Sequence, residues 1–115
     1  MRRSTADRIR DALEAMAAAE RFAEASAPLF EGDEQALYAV RYAFIVIGEA
    51  LGHVPDEVRA AHPAVPWRQI VGMRNRIAHD YLGVDRDLVW RTVTEEFPVV
   101  RPLLQAALDD LDART

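Results

Sequence analysis

The residues best suited to chemistry lie together in one eight-residue stretch, from Arg74 to Tyr81. Within this stretch, Arg74, His79 and Tyr81 are side chains that can handle a phosphate ester. An arginine fork binds phosphate oxygens and stabilises the charge that develops on them. An imidazole can take up or give a proton near neutral pH. If a ribose 2′-hydroxyl is the nucleophile, this pair could support cleavage of RNA without a metal or a protein nucleophile.

The spacing of these residues restricts how they can meet. The stretch has the pattern of a helix end, and at about 100° per residue Arg74 and His79 lie roughly 140° apart. Asn75 shares a face with His79, which is four residues further on. One helix therefore cannot easily direct Arg74 and His79 at the same atom. They could converge if the helix ends near His79, or if a second copy of the helix faces the first across a two-fold axis.

Helical periodicity predicts the elements that must position this stretch. A first helix is expected from about residue 5 to residue 25, with Ser4 as its cap. A turn at residues 31–33 leads into a second helix from about residue 34 to residue 51, capped by Asp33. The second helix is apolar over most of its circumference, so we expect it at the centre of a bundle or at a subunit interface.

Two neighbouring residues of the second helix stand out. Gly48 weakens a helix, by about 1 kcal/mol relative to alanine, and a close helix crossing opposite Gly72 would explain it. Glu49 is a carboxylate with apolar neighbours. It could be an exposed charge at the helix end, or a partner for an arginine such as Arg74 or Arg76, because a buried charge needs pairing.

The third long helix carries the eight-residue stretch. Pro66 suits its first position, and Arg74 falls in line with the apolar stripe, which indicates a half-buried, oriented guanidinium. Gly83 is expected to end this helix, and Pro98 and Pro102 to end or kink the next one. With no strand pattern, the sequence predicts an all-α antiparallel bundle of four to five helices.

Composition narrows the class of protein. The chain of 115 residues is expected to form one domain, 1–115. It has no cysteine, no apolar run long enough for a membrane span and no signal-peptide pattern, so we expect a cytoplasmic protein. A net charge of −5 disfavours a protein that coats nucleic acid nonspecifically, but allows a small basic cleft.

Several motifs, in order and spacing, resemble the HepT-like branch of the HEPN superfamily over nearly the whole chain. The Arg-x4-His-x-Tyr signature of that family matches Arg74, His79 and Tyr81. The other matching segments are Ile47–Ala50, Pro66–Met73, Val84–Asp85, Val89–Trp90 and Pro98.

This resemblance implies a homodimeric HEPN-type bundle with an RNA-cleaving cleft between the two subunits. His79 would be the general acid or base and Arg74 the residue that binds the phosphate and stabilises the transition state. Asn75 would orient the phosphate or the histidine, and we give Glu49 and Arg76 supporting roles. No cofactor or metal is implied.

The resemblance also implies a regulated toxin. Proteins of this family are typically encoded beside a minimal nucleotidyltransferase antitoxin of the MntA type, which transfers AMP to the tyrosine two residues after the histidine. Tyr81 matches that position. A bulky anion there would fill the cleft and repel an RNA phosphate.

Other interpretations remain open on the sequence alone. The same dimer could be a non-catalytic scaffold or nucleotide-binding partner of a nucleotidyltransferase, or a structural bundle without a ligand. A metal site built from His53, His62 and His79 is disfavoured because the three histidines lack ligand-type spacing.

Overall fold

The computed structural model describes residues 3–78 and 86–114 of the chain. Its first helix, α1, spans Thr5–Glu24. Ser4 and Asp7 form a capping box, in which each side chain accepts a hydrogen bond from the backbone N–H of the other residue. These bonds satisfy backbone donors that no helical carbonyl can reach, so the helix begins where the sequence predicts.

The turn between α1 and α2 is anchored by one aromatic side chain. Phe30 closes a short 3-10 helix, Pro28–Phe30, and is wholly buried, with its ring edge-on to Trp90 at 5.1 Å between centroids. Gly32 follows with a φ of 76°, a left-handed conformation that glycine adopts without strain. Asp33 then accepts a hydrogen bond from the Ala36 backbone N–H, which confirms it as the cap of the second helix.

Helix α2 spans Glu34–Gly52 and lies at the centre of the bundle, with α1 and α4 packed against it. Its buried side includes Val40, Ile47 and Leu51. Arg59 closes its C-terminal end by donating hydrogen bonds to the carbonyls of Leu51 and Val54. Leu51 lies in the last turn of α2 and Val54 just beyond it, so these bonds add side-chain donors at the helix end.

Two more helices follow, α3 at Asp56–Ala61 and α4 at Trp67–Ala78. The Trp67 indole N–H donates to the carbonyl of His62 at 3.0 Å and ties the connector to the start of α4. Pro66 lies one residue before the helix rather than at its first position, and its carbonyl accepts from the Ile70 N–H at 3.1 Å. Helix α4 packs against α2, which fixes the direction in which its side chains point.

The C-terminal part is one helical run made of α5 at Arg86–Arg91, a π-helical segment at Thr92–Glu96 and α6 at Phe97–Ala113. Pro98 and Pro102 were predicted to end or kink this helix. Neither ends the helical run, since Pro98 lies in the first turn of α6 and Pro102 inside it, but the run departs from α-helical geometry directly before Pro98. In the π-helical segment directly before Pro98 the backbone hydrogen bonds span five residues instead of four. This wider turn makes room for the proline ring, which would otherwise collide with the carbonyl of the preceding turn.

These helices enclose one hydrophobic core in which α1 contacts both α2 and α6. All described elements are helical, which confirms the predicted all-α bundle. None of the described helices is both long enough and apolar enough to cross a membrane. The largest fully buried side chains are Phe30, Ile9, Met16, Ile47, Leu51, Leu104, Val40, Val89 and Val93.

Candidate active site

The crossing of α2 and α4 places Arg74 directly over Gly48. A side chain at position 48 would overlap Cβ and Cγ of Arg74, and its Cβ would lie only 3.5 Å from the Arg74 Cα. The close approach predicted for Gly48 therefore exists, but the predicted partner is wrong. Gly72 has no atom within 4 Å of where its Cβ would be, because it lines an open groove on another side of α4.

The Arg74 guanidinium is held by two neighbours. Its Nη2 donates to the Glu49 carboxylate at 2.5 Å, and its Nη1 donates to the side-chain oxygen of Asn75 at 3.0 Å. The two alternatives for Glu49 were an exposed charge and a buried charge paired with an arginine. Its side chain is 54% exposed, so it is not buried, and it pairs with Arg74 all the same. The predicted half-buried guanidinium is also found, since the Arg74 side chain is 32% exposed.

One donor of this guanidinium has no partner in the described part of the chain. Nε of Arg74 is buried and makes no hydrogen bond. Leaving a buried polar donor unpaired costs about 1–3 kcal/mol. A buried donor without a partner calls for an explanation, for which an ordered water, an ion or a catalytic role are the usual candidates.

Arg76 does not join this group. It lies about 200° around α4 from Arg74, where it lines a mostly apolar groove of about 660 Å³ together with Met73, Phe97 and Glu96. This groove separates α4 from the α5–α6 run. The structure thus assembles Arg74, Glu49 and Asn75, and places Arg76 on a different surface.

The remaining predicted site residues, His79 and Tyr81, lie outside the described residues, as does Gly83. Ala78 is the last described residue of α4. The expected roles of His79 and Tyr81 therefore stay predictions.

His62, which the metal-site alternative invoked, has a different partner. Its Nε2 lies 3.2 Å from the Asp110 carboxylate on α6, and Asp110 also pairs with Arg114. The hydrogen bond from His62 is the main reason that the pKa of Asp110 lies below its ordinary value, with the bond from Arg114 second. No group of three metal-ligating side chains occurs among residues 3–78 and 86–114.

Two exposed residues that sequence analysis did not assign to the site lie on the same helix as Glu49. Tyr38 and Tyr42 of α2 are 61% and 67% exposed. They lie eleven and seven residues before Glu49, a spacing that puts all three on one side of the helix. The sequence analysis counted both tyrosines among the apolar residues of α2 and so did not connect them with Glu49.

Fold and site together define a class: an all-α bundle that presents an oriented, incompletely paired arginine at a helix crossing, suited to binding an oxyanion such as a phosphate. The model of the family described as "Ribonuclease HepT-like" matches residues 12–107. The chain belongs to this HepT-like ribonuclease family, as the sequence motifs predicted.

Individual relatives agree with this assignment. The chain is 36% identical over 102 residues to "Probable ribonuclease HepT" of Thermococcus cleftensis, which covers 88% of this chain and 93% of that protein. It is 35% identical over 80 residues to a protein of Methanocaldococcus jannaschii that is provisionally named as an RNase, covering 66% of this chain and 69% of that protein. No solved structure matches the chain.

Proposed function

We propose that this protein is a metal-independent endoribonuclease that cuts tRNA or mRNA and acts as a homodimer. The observation that supports this most directly is the Arg74 guanidinium, which Glu49 on α2 orients and whose side chain is 32% exposed. A phosphate oxygen would accept charge-assisted hydrogen bonds from this guanidinium. Membership of a ribonuclease family makes an RNA phosphate the natural ligand.

The proposed reaction is an internal transfer at the RNA backbone. The ribose 2′-oxygen attacks the adjacent phosphorus while His79 accepts the 2′-hydroxyl proton. The bond from phosphorus to the 5′-oxygen breaks, and an acid, a second imidazolium or water, protonates that oxygen. Arg74 stabilises the extra negative charge on the phosphate in the transition state. The products carry a 2′,3′-cyclic phosphate and a 5′-hydroxyl.

A dimer would solve the geometric problem at the end of α4. Arg74 and His79 diverge by roughly 140° on a regular helix. Two α4 helices related by a two-fold axis would let the arginine of one protomer and the histidine of the other face the same phosphate. In this arrangement Asn75 orients the phosphate or the histidine, and Glu49 orients Arg74.

We further propose that the enzyme is a toxin controlled by a minimal nucleotidyltransferase antitoxin of the MntA type. The Tyr81 oxygen would attack the α-phosphorus of ATP, pyrophosphate would leave, and the phenol proton would pass to solvent. The resulting phosphodiester adds a negative charge and a bulky nucleoside beside Arg74. Both would exclude an RNA phosphate from the cleft.

The test is cleavage of labelled RNA by the purified chain in EDTA, after intact-mass measurement has established that no AMP is attached. Wild type should cut and leave cyclic phosphate ends, and Arg74→Ala and His79→Ala should not. Arg101→Ala is the matched control, because Arg101 also pairs with a carboxylate but lies on α6.

Failure of unmodified wild type to cut any RNA would overturn the enzymatic proposal and favour the non-catalytic scaffold. Retained cleavage by a folded Arg74→Ala or His79→Ala variant would remove the role given to that residue. The regulatory proposal is checked separately with purified antitoxin and ATP: wild type should gain the mass of one AMP, and Tyr81→Phe should gain none.

A further inference from the structure

One side of α2 carries a line of side chains that ends at the Arg74 site. Its members are separated by four, three and four residues, so they lie within about 60° of one another around the helix and extend over about 16 Å. In order they are Tyr38, Tyr42, Ile45 and Glu49. Because Glu49 pairs with Arg74, the line leads from the start of α2 to the candidate site.

The two tyrosines are unusually open for large aromatic side chains. At 61% and 67% exposure, Tyr38 and Tyr42 are two of the three most exposed large hydrophobic residues in the described part of the chain. The Arg41 guanidinium lies 5.7 Å from the centre of the Tyr38 ring, within the range of a cation–π contact. Because both rings are mostly exposed, they contribute little to the hydrophobic core, and binding of a ligand would explain why they lie at the surface.

We infer that Tyr38 and Tyr42 form a binding track for single-stranded RNA, on which two successive bases stack while the backbone continues towards Arg74. This inference rests on the proposed function, because it takes Arg74 as the residue that holds the scissile phosphate. It adds the path by which the strand reaches that phosphate.

The spacing favours an unpaired strand. Residues four apart on a helix are separated by about 6 Å along its axis, whereas bases in a duplex stack about 3.4 Å apart. Two bases can therefore each meet a tyrosine ring only after they separate from one another, as they do in single-stranded RNA bound to aromatic side chains. Arg41 and Arg74 supply positive charge beside and beyond the rings.

Nucleic acid fits this surface better than a second copy of the chain. The centres of protein–protein interfaces are depleted in lysine and acidic residues, although tyrosine and arginine are enriched there. The tyrosine track instead ends at the exposed Glu49 carboxylate, and half-buried Ile45 is its one aliphatic member. Aromatic rings interleaved with arginines are typical of surfaces that bind single strands.

The experiment measures binding of a fluorescent single-stranded 2′-O-methyl oligonucleotide, which cannot be cleaved because it has no free 2′-hydroxyl. A second oligonucleotide of the same length has abasic sites in place of its bases. The variants are Tyr38→Ala/Tyr42→Ala and Tyr38→Phe/Tyr42→Phe, with Val99→Ala as the control. Val99 is equally exposed, at 64%, but lies on α6.

We expect the double alanine variant to bind the base-containing strand at least about tenfold more weakly, and the abasic strand as wild type does. The double phenylalanine variant and Val99→Ala should bind as wild type. In cleavage assays the alanine variant should raise KM and leave kcat nearly unchanged.

Equal affinity of the alanine variant and wild type would overturn the track, and so would an equal loss on the abasic strand. A shift of the alanine variant to a smaller species in light scattering would also overturn it, because these tyrosines would then belong to a protein interface. The proposed function can fail separately from the track. If wild type binds RNA through the tyrosines but never cleaves it, the binding track stands and the enzymatic proposal does not.

Discussion

Two arginine–carboxylate pairs in this bundle differ in how completely they are made. Arg101 on α6 donates from Nε and Nη2 to the two oxygens of Glu20 on α1, at 2.5 and 3.0 Å. Arg74 on α4 gives Glu49 a single bond from Nη2, and its buried Nε has no acceptor in the described part of the chain. The Glu20 side chain is 19% exposed, against 54% for Glu49.

Both pairs join two helices, but under the proposed function only the Arg74 pair also leaves capacity for a ligand. A bidentate pair in a partly buried setting satisfies both groups and fixes the distance between α1 and α6. A single bond to an exposed carboxylate orients a guanidinium, and under the proposed function a phosphate would compete with that carboxylate for the guanidinium. The first and third predictions below compare the two pairs directly, the second tests the crossing that admits Arg74, and the fourth concerns the separate His62–Asp110 pair. They run from the largest expected effect to the smallest.

The largest effect is expected on activity. Removal of a group that stabilises transition-state charge typically lowers kcat by about 10²–10³-fold. Arg74→Ala should therefore reduce RNA cleavage by about that factor, and Arg101→Ala should leave cleavage close to wild type. Initial rates on labelled RNA, corrected for the folded fraction from circular dichroism, check this. Equal rates for the two variants would abolish the distinction between the pairs.

The second prediction concerns the glycine that admits Arg74. Gly48→Ala places a methyl group onto Cβ of Arg74, so α2 and α4 must separate, and we expect a loss of about 1–3 kcal/mol in the free energy of unfolding. Gly72→Ala meets nothing within 4 Å and should stabilise the helix by about 0.5–1 kcal/mol. Urea denaturation of both variants is the measurement. A Gly48→Ala protein as stable as Gly72→Ala would show that the crossing is not tight.

The third prediction compares the two carboxylates. Glu20→Gln removes the charge of a bidentate, partly buried pair, so unfolding free energy should fall by about 1 kcal/mol. Glu49→Gln alters one exposed bond and should change it by less than about 0.5 kcal/mol. Chemical denaturation in low and high salt checks both values. A larger loss for Glu49→Gln than for Glu20→Gln would mean that the Arg74 pair is the structural one.

The smallest effect is expected on the pH dependence of folding stability, and it comes from Asp110 on α6. The hydrogen bond from His62, followed by that from Arg114, lowers the pKa of Asp110 from its ordinary value of 3.8. A carboxyl with a lowered folded pKa stabilises the protein above its unfolded pKa, and this contribution disappears as the pH falls through the folded pKa. Asp110→Asn should therefore show a shallower loss of stability below about pH 4. An acid denaturation curve identical to wild type would contradict this role for the pair.

Much of the fold could be predicted because its signals are local. Ser4 and Asp33 cap α1 and α2 by hydrogen bonds to backbone groups three residues away, so the sequence alone fixes where these helices start. The π-helical segment before Pro98 could not be predicted in the same way. It depends on how the whole run from Arg86 to Ala113 packs, and proline removes one donor without dictating how the backbone adjusts.

The site divides along the same line. Residue types and spacing pointed to Arg74 and His79, and the resemblance to the family added the roles of Asn75 and Tyr81. For Glu49 the sequence left two alternatives, an exposed charge or a partner for Arg74 or Arg76, and Arg76 was selected only as a supporting residue. For His79 and Tyr81 the expected roles remain predictions, because both lie outside the described residues.

The sequence by itself determined the all-α class, the starts of α1 and α2 and the family, because caps, periodicity and motif spacing are written in consecutive residues. Only the tertiary structure decided that Gly48 receives Arg74 rather than Gly72, that Glu49 pairs with Arg74 and not Arg76, and that the Arg74 Nε finds no acceptor among residues 3–78 and 86–114. The physical reason is that the rotation of α4 against α2 depends on packing between residues distant in the chain. A local pattern specifies which face of a helix is buried, but not which residue it meets across the crossing.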